Sequence, residues 1–215
     1  MKNLLNQRNK THQFLLFLLM FFCSVTVFGR EIKLTKLDIT DLPSNIKYEG
    51  KIKEAVRWTD NLGDNIVITT ETGYYQSKKG NSAELFAYHF IVSNDTVKQT
   101  WKVYDFFHDC PTDMYVNFLK NTFEVTDLNN DGVAEIWMMY KTSCCGGVDP
   151  GDMKIIMYHG QQKFAMRGLY QVQVSDTDFI GGDYKFDRAF MDGPTEFKDF
   201  AKNLWDKNML HQWGE

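Results

Sequence analysis

Short runs in which apolar and polar positions alternate recur along most of this chain. Residues 32–38, 46–58, 65–70, 83–93 and 98–104 read as strands, followed by 114–119, 122–126, 135–141, 153–158 and 163–174. Clusters of Gly, Asn and Asp at 61–64, 79–81, 93–95 and 159–161 punctuate them as turns. Strands at this spacing predict a mainly β fold of antiparallel meanders, propeller-blade-like or sandwich-like. The C-terminus has a different period. Phe197, Phe200, Ala201, Leu204, Trp205 and Met209 recur at helical spacing, which predicts an α-helix packed on the sheet. Asp192-Gly193-Pro194 before it offers a cap and a proline at the first turn.

One interruption of the pattern carries chemistry. Asp127-Leu128-Asn129-Asn130-Asp131-Gly132-Val133-Ala134-Glu135 sets oxygen-bearing side chains on alternate residues of a short loop. Calcium takes six to eight oxygen ligands, which such a loop can converge. The expected ligands are the side chains of Asp127, Asn129, Asp131 and Glu135 and the Val133 carbonyl, with Gly132 at positive φ. A helical EF-hand needs a bidentate Glu where Met138 stands, and the flanks are strand-like. The loop resembles the strand-loop-strand calcium motif of integrin-type β-propeller repeats. The competing expectation is a plain polar turn, in which Asn, Asp and Gly serve conformation alone. Two carboxylates held about 5 Å apart repel by roughly 3 kcal/mol at an effective dielectric of 20, so a converged loop favours a cation. The segment at 59–68 echoes 126–136, with Asp60 matching Asp127, and suggests two related meanders of which the second keeps the full ligand set.

Residues 1–29 have the three parts of a secretory signal. Lys2, Arg8 and Lys10 precede the apolar run 14–22, and Val27-Phe28-Gly29 forms a small-residue cleavage site. Residues 30–215 are then expected as one exported β-rich domain, periplasmic or secreted, without a stable membrane span. Cleavage takes the basic count from 24 to 21 against 28 acidic residues, so the net charge moves from −4 to −7. That balance argues against nucleic acid and anionic membranes as partners. Cys110, Cys144 and Cys145 remain, and in an oxidising compartment two should pair. Adjacent Cys144 and Cys145 make a strained pair, so Cys110–Cys144 is the first expectation, with Cys145 as the alternative partner.

No nucleophile elbow, phosphate loop, dinucleotide fingerprint or zinc-protease helix is present. Asp109-Cys110-Pro111, Phe123-Glu124-Val125-Thr126-Asp127, Ala134-Glu135-Ile136 and Tyr140-Lys141-Thr142-Ser143-Cys144 form a further pattern. Met153-Lys154-Ile155-Ile156-Met157-Tyr158 and Lys163-Phe164-Ala165-Met166-Arg167-Gly168 complete it. Together they resemble a family of small secreted Gram-negative proteins labelled surface polysaccharide biosynthesis proteins. The resemblance implies a role in making or presenting envelope glycans and names no catalytic residue. The leading expectation is a non-catalytic exported protein that binds or helps assemble surface polysaccharide, with calcium as a structural cofactor. The alternatives are an envelope glycan hydrolase using acidic residues, and an inhibitor or interaction module whose partner is an envelope protein.

Overall fold

The computed structural model describes residues 32–212 apart from 95, 145 and 146. The expected signal segment and Cys145 therefore lie outside the described residues. The first sheet contains β1 (Thr35–Lys36), β2 (Lys51–Asp60), β3 (Gly63–Glu71), β4 (Tyr75–Gln76), β5 (Asn81–Ser93) and β6 (Thr96–Cys110). Its order is β1-β2-β3-β5-β4, with β6 on the other side of β5. The second contains β7 (Met114–Phe118), β8 (Glu124–Thr126), β9 (Glu135–Cys144), β10 (Asp152–His159) and β11 (Gln162–Leu169). A ribbon of β12 (Val172–Gln173) and β13 (Phe179–Ile180) follows, and β14 (Tyr184–Phe186) closes the second sheet against β11. All these strand pairs are antiparallel. Two helices end the chain, α1 (Arg188–Asp192) and α2 (Thr195–Asn208).

The two sheets pack face to face as a sandwich. Val56, Trp58, Val67, Leu85, Trp101 and Val103 of the first meet Ile136, Met138, Tyr140, Ile156 and Tyr158 of the second. Trp101 stacks on Tyr158 across the gap at 4.1 Å. The alternate residues Trp137, Met139, Ile155 and Met157 face outward, where Phe190 of α1 and Phe197, Ala201 and Trp205 of α2 cover them. β9 is thus buried on both faces, which accounts for its unbroken apolar run Ile136-Trp137-Met138-Met139-Tyr140. The helical stripe read from the sequence is the buried face of α2. Asp187 caps α1 by accepting from the Phe190 amide, whereas Pro194 sits just before the first turn of α2.

Several boundaries differ from the sequence expectation for identifiable reasons. In the 46–50 segment Ile46 and Tyr48 cover the outer face of the first sheet, where Ile46 packs with Ile66, Ile68, Phe86 and Tyr88. The segment is not strand, and 32–38 contributes only Thr35–Lys36. β6 runs on to Cys110 because its partner β5 also continues, pairing Asn81 with Cys110. β11 stops at Leu169, where the chain turns into the β12–β13 ribbon.

Cys110 and Cys144 form a disulfide at the crossing from the first sheet to the second, 34 residues apart in sequence. The bridge encloses β7, β8 and the 127–135 loop. Chain-entropy arithmetic assigns such a loop about 4 kcal/mol. Replacing both cysteines by serine is expected to lower the urea unfolding free energy by about that amount. A loss below about 1 kcal/mol would show that the bridge adds little to the sandwich.

Candidate functional site

The loops that resemble each other in sequence sit against each other in the sandwich. The Asn61 amide donates to the Gly132 carbonyl at 2.8 Å, and Asn61 Nδ2 donates to the Asp131 carbonyl at 2.9 Å. In return the Ala134 amide donates to Asp60 Oδ2 at 3.1 Å. Gly132 has φ +78°, as expected, and a Cβ there would stand 2.3 Å from Asn61 Nδ2. Both the turn and the close approach therefore require glycine. Asn130 shares the left-handed conformation at φ 57°.

The relation continues past the loops. Thr59-Asp60 matches Thr126-Asp127, and beyond a three-residue insertion Asn65-Ile66 matches Glu135-Ile136 and Tyr88-His89 matches Tyr158-His159. In the first unit the polar set closes on itself. Asn65 is fully buried; its Nδ2 donates to Asp60 Oδ1 at 2.9 Å, and its Oδ1 lies 3.1 Å from His89 Nε2. With Asn65 Oδ1 as acceptor, the His89 ring carries its proton on Nε2, and Nδ1 accepts from the Thr100 hydroxyl at 2.5 Å. Burial between Trp58 and Trp101 pushes the His89 pKa down to about 4. Asp60 Oδ1 also accepts from the Leu62 amide, and Oδ2 from the Trp58 indole.

In the second unit Glu135 takes the place of Asn65, and a carboxylate has no hydrogen to give. Its Oε2 accepts from the Thr126 hydroxyl at 2.7 Å and the Leu128 amide at 2.8 Å. Oε1 is buried with no hydrogen-bond partner. Asp127 repeats the arrangement: Oδ2 accepts from the Gly132 amide at 3.1 Å, and Oδ1 is buried without a partner. Burial raises the Glu135 pKa, with the Asp127 charge adding to it, while the two donors and His159 act the other way.

The remaining expected ligands are placed differently. Asp131 Oδ1 accepts from the Val133 amide at 2.8 Å, and Oδ2 from Asn129 Nδ2 at 2.9 Å. His159 Nε2 lies 2.9 Å from Asp131 Oδ2, close enough for an ion pair but poorly aligned as a hydrogen bond. Asn129 Oδ1 accepts from the Asp131 amide. Thus Asp127 and Glu135 have open oxygens, while Asn129 and Asp131 are engaged with each other, the backbone and His159. Among the described residues no three His, Cys, Asp or Glu side chains stand together as a ready metal cage. The two open carboxylate oxygens fit a hard cation. Asn129 and Asp131 could join them only by giving up their present partners.

A separate cleft of 560 Å³ runs along the free edge of β7. One wall belongs to the first sheet and includes Lys53, Glu54, Val56, Thr69 and Glu71. A bulge between Ile52 and Glu54 interrupts the β2–β3 register at Lys53. Glu71 ties the sheets together, accepting from the Phe118 amide at 2.8 Å and Asn117 Nδ2 at 3.2 Å beside Lys53 at 3.1 Å. The other wall is Tyr115, the 117–123 segment, Met139 and Lys141, and exposed Tyr74 stands at the mouth with its hydroxyl donating to Asn117. Sequence reading assigned none of these residues to a site, because the cleft is assembled from strands far apart in the chain. His159 and Asn65 did have a signal, namely the continuation of the repeat beyond the loop.

Two outcomes follow from the paired units. A neutral His89 in the folded state and a protonatable one in the unfolded state mean that the unfolded chain binds more protons between pH 6.5 and 4. Stability should fall as pH drops through that window, by up to about 3 kcal/mol. A His89→Gln variant should lose this part of the urea-measured dependence, and an unchanged profile would contradict the assignment. In chelator-containing buffer, Glu135→Gln should stabilise the protein by about 1–3 kcal/mol, since its amide supplies the donor that Asn65 supplies in the first unit. Destabilisation would mean that Glu135 is already satisfied. Among known proteins, no family model, curated protein or solved structure matches this chain.

Proposed function

We propose that this protein is an exported, non-catalytic envelope protein that binds surface polysaccharide, with a calcium ion closing its 127–135 loop. The observation that carries the binding reading is the β7 cleft. Its volume of 560 Å³ suits a small-molecule or oligosaccharide segment, and it combines aromatic faces with hydrogen-bonding side chains. Tyr74, Tyr115, Phe118 and Phe123 offer ring surface, while Asn117, Asn121 and Lys120 offer polar contacts. Sugars, with apolar ring faces and hydroxyl rims, need both. The resemblance of residues 109–168 to the surface polysaccharide family points the same way. So does the Cys110–Cys144 bridge, which suits an oxidising compartment. No helix among the described residues is long and apolar enough to cross a membrane.

The calcium reading rests on the open oxygens of Asp127 and Glu135. A divalent ion there would replace the donor that the first unit draws from Asn65, with the Val133 carbonyl, Asn129 and Asp131 as further ligands after local rearrangement. Its role is structural, since the loop is clasped by Asn61 and Asp60 and lies apart from the residues that line the cleft.

A glycan hydrolase is the second reading, because two carboxylates, Glu54 and Glu71, line the cleft. Binding is favoured because both already hold lysine partners, Lys36 at 3.3 Å and Lys53 at 3.1 Å. A glycan array and a hydrolysis assay on the purified protein separate the two. Retention of a polysaccharide without chain shortening is the expected result. Turnover abolished by Glu54→Gln or Glu71→Gln would establish the hydrolase instead. For the loop, millimolar calcium should release or absorb heat in calorimetry and raise the melting temperature by several degrees. A flat titration with an unchanged melting temperature would remove calcium from the account.

A further inference from the structure

One charged patch stands apart from both the loop and the β7 cleft. On the sandwich face of the second sheet, Lys154 of β10 pairs in register with Arg167 of β11, and Arg167 with Lys185 of β14. Directly paired residues share a face, and neighbouring strands lie about 4.8 Å apart, so the three cations span about 10 Å. Lys163 joins them on the same face of β11. Between it and Arg167, Ala165 is fully buried in the core shared with the first sheet, whereas Lys163, Arg167 and Lys185 are exposed. β6, an edge strand of the first sheet, reaches the row with Asp105, whose Oδ2 accepts from Lys154 Nζ at 2.6 Å and from the Tyr140 hydroxyl at 3.0 Å. Of the four cations, only Lys154 has an ion-pair partner among the described residues. The Lys163 ammonium is held below its ordinary pKa by partial burial and by the Arg167 and Lys154 charges, with Asp105 and Asp187 acting the other way. Like charges directly opposite on neighbouring strands cost stability, so the row works against the fold that carries it. Edge protection accounts for a lysine on β14, the outermost strand, but not for Lys154 and Arg167 on inner strands.

We infer that the Lys154–Arg167–Lys185 row, with Lys163 beside it, is a binding site for an acidic polysaccharide, whose carboxylate or phosphate groups sit on the exposed cations. The row lies at the opposite edge of the second sheet from β7, so it is a site separate from the cleft. Asp152 and Asp183 stand two residues along the chain from Lys154 and Lys185. A broad anionic plane such as a bilayer would meet these acids as well, in a protein of net charge −4, whereas a single polymer strand lying along the row meets cations. The choice of a polysaccharide as that polymer rests on the binding reading above; the anion site itself does not.

The test is calorimetric titration of the purified protein and of a triple variant, Lys163→Gln with Arg167→Gln and Lys185→Gln, at low and high salt. The ligands are polygalacturonate, phosphorylated dextran, plain dextran and phosphatidylglycerol vesicles. Polygalacturonate and phosphorylated dextran distinguish a carboxylate from a phosphate preference. Binding of the preferred acidic polymer should weaken with salt and fall about tenfold in the variant, while the response to plain dextran is the same for both proteins. In urea the ligand-free variant should be at least as stable as the wild type, because three mutually repelling charges are gone. A loss of stability would show that these side chains serve the fold, and would overturn the site. Acidic polymers bound equally well by the variant, or bound by neither protein, would also overturn it, leaving the β7 reading to the glycan array. Vesicles bound in place of the polymers, and no longer bound by the variant, would overturn the polysaccharide as the ligand while anion recognition stood.

Discussion

The chain's second polar loop is governed by where β9 begins. That strand is covered on one face by the first sheet and on the other by α1 and α2, so its first residue is carried fully into the interior. The residue is Glu135. A carboxylate in that position has lost water and can only accept, so each oxygen needs a donor or a cation. One of its oxygens is served by Thr126 and Leu128, and the other is not. Much of the surrounding construction follows from that need. Thr126 is itself held by the Trp137 indole, Asp127 is pinned by the Gly132 amide, and Gly132 is wedged against Asn61 of the first sheet.

The first unit shows how the same geometry is satisfied with a neutral side chain. Asn65 gives a hydrogen to Asp60 and an acceptor to His89, and every link closes. Replacing that amide by Glu135, with the loop lengthened by three residues, leaves one oxygen each of Asp127 and Glu135 buried without a hydrogen-bond partner. The difference between the units is therefore one of charge balance, and burial sharpens it. His159, the counterpart of His89, pairs with Asp131 rather than reaching across to Glu135. The two residues whose oxygens lack a partner, Asp127 and Glu135, are the first and last positions of the spaced polar loop read from the sequence.

Much of this was legible in the chain. The loop, the glycine at positive φ, most strands and the amphipathic α2 follow from local pattern, since each depends on residues near each other; the Cys110–Cys144 pair, 34 residues apart, followed instead from the strain of an adjacent Cys144–Cys145 pair. The strand pattern allowed a propeller blade or a sandwich, and only the facing contacts of Trp101 with Tyr158 decide for the sandwich. Ile46 was misplaced because an apolar cover segment and a buried strand have the same composition. β14 and α1 escaped notice because they are short and follow a stretch of 170–183 without clear period. The β7 cleft depends on residues from β2, β3, β7 and β9, and no local signal announces such a meeting.

The ion proposed at Asp127 and Glu135 can be detected by terbium luminescence. Terbium occupies calcium-type oxygen sites, and Trp137 lies close enough to sensitise it, its indole bonded to the same Thr126 that donates to Glu135. Excitation of tryptophan should give terbium emission that calcium displaces and that Asp127→Asn with Glu135→Gln abolishes. Emission that is absent from the wild-type protein, or that persists undiminished in the double variant, would contradict a cation site at these two residues.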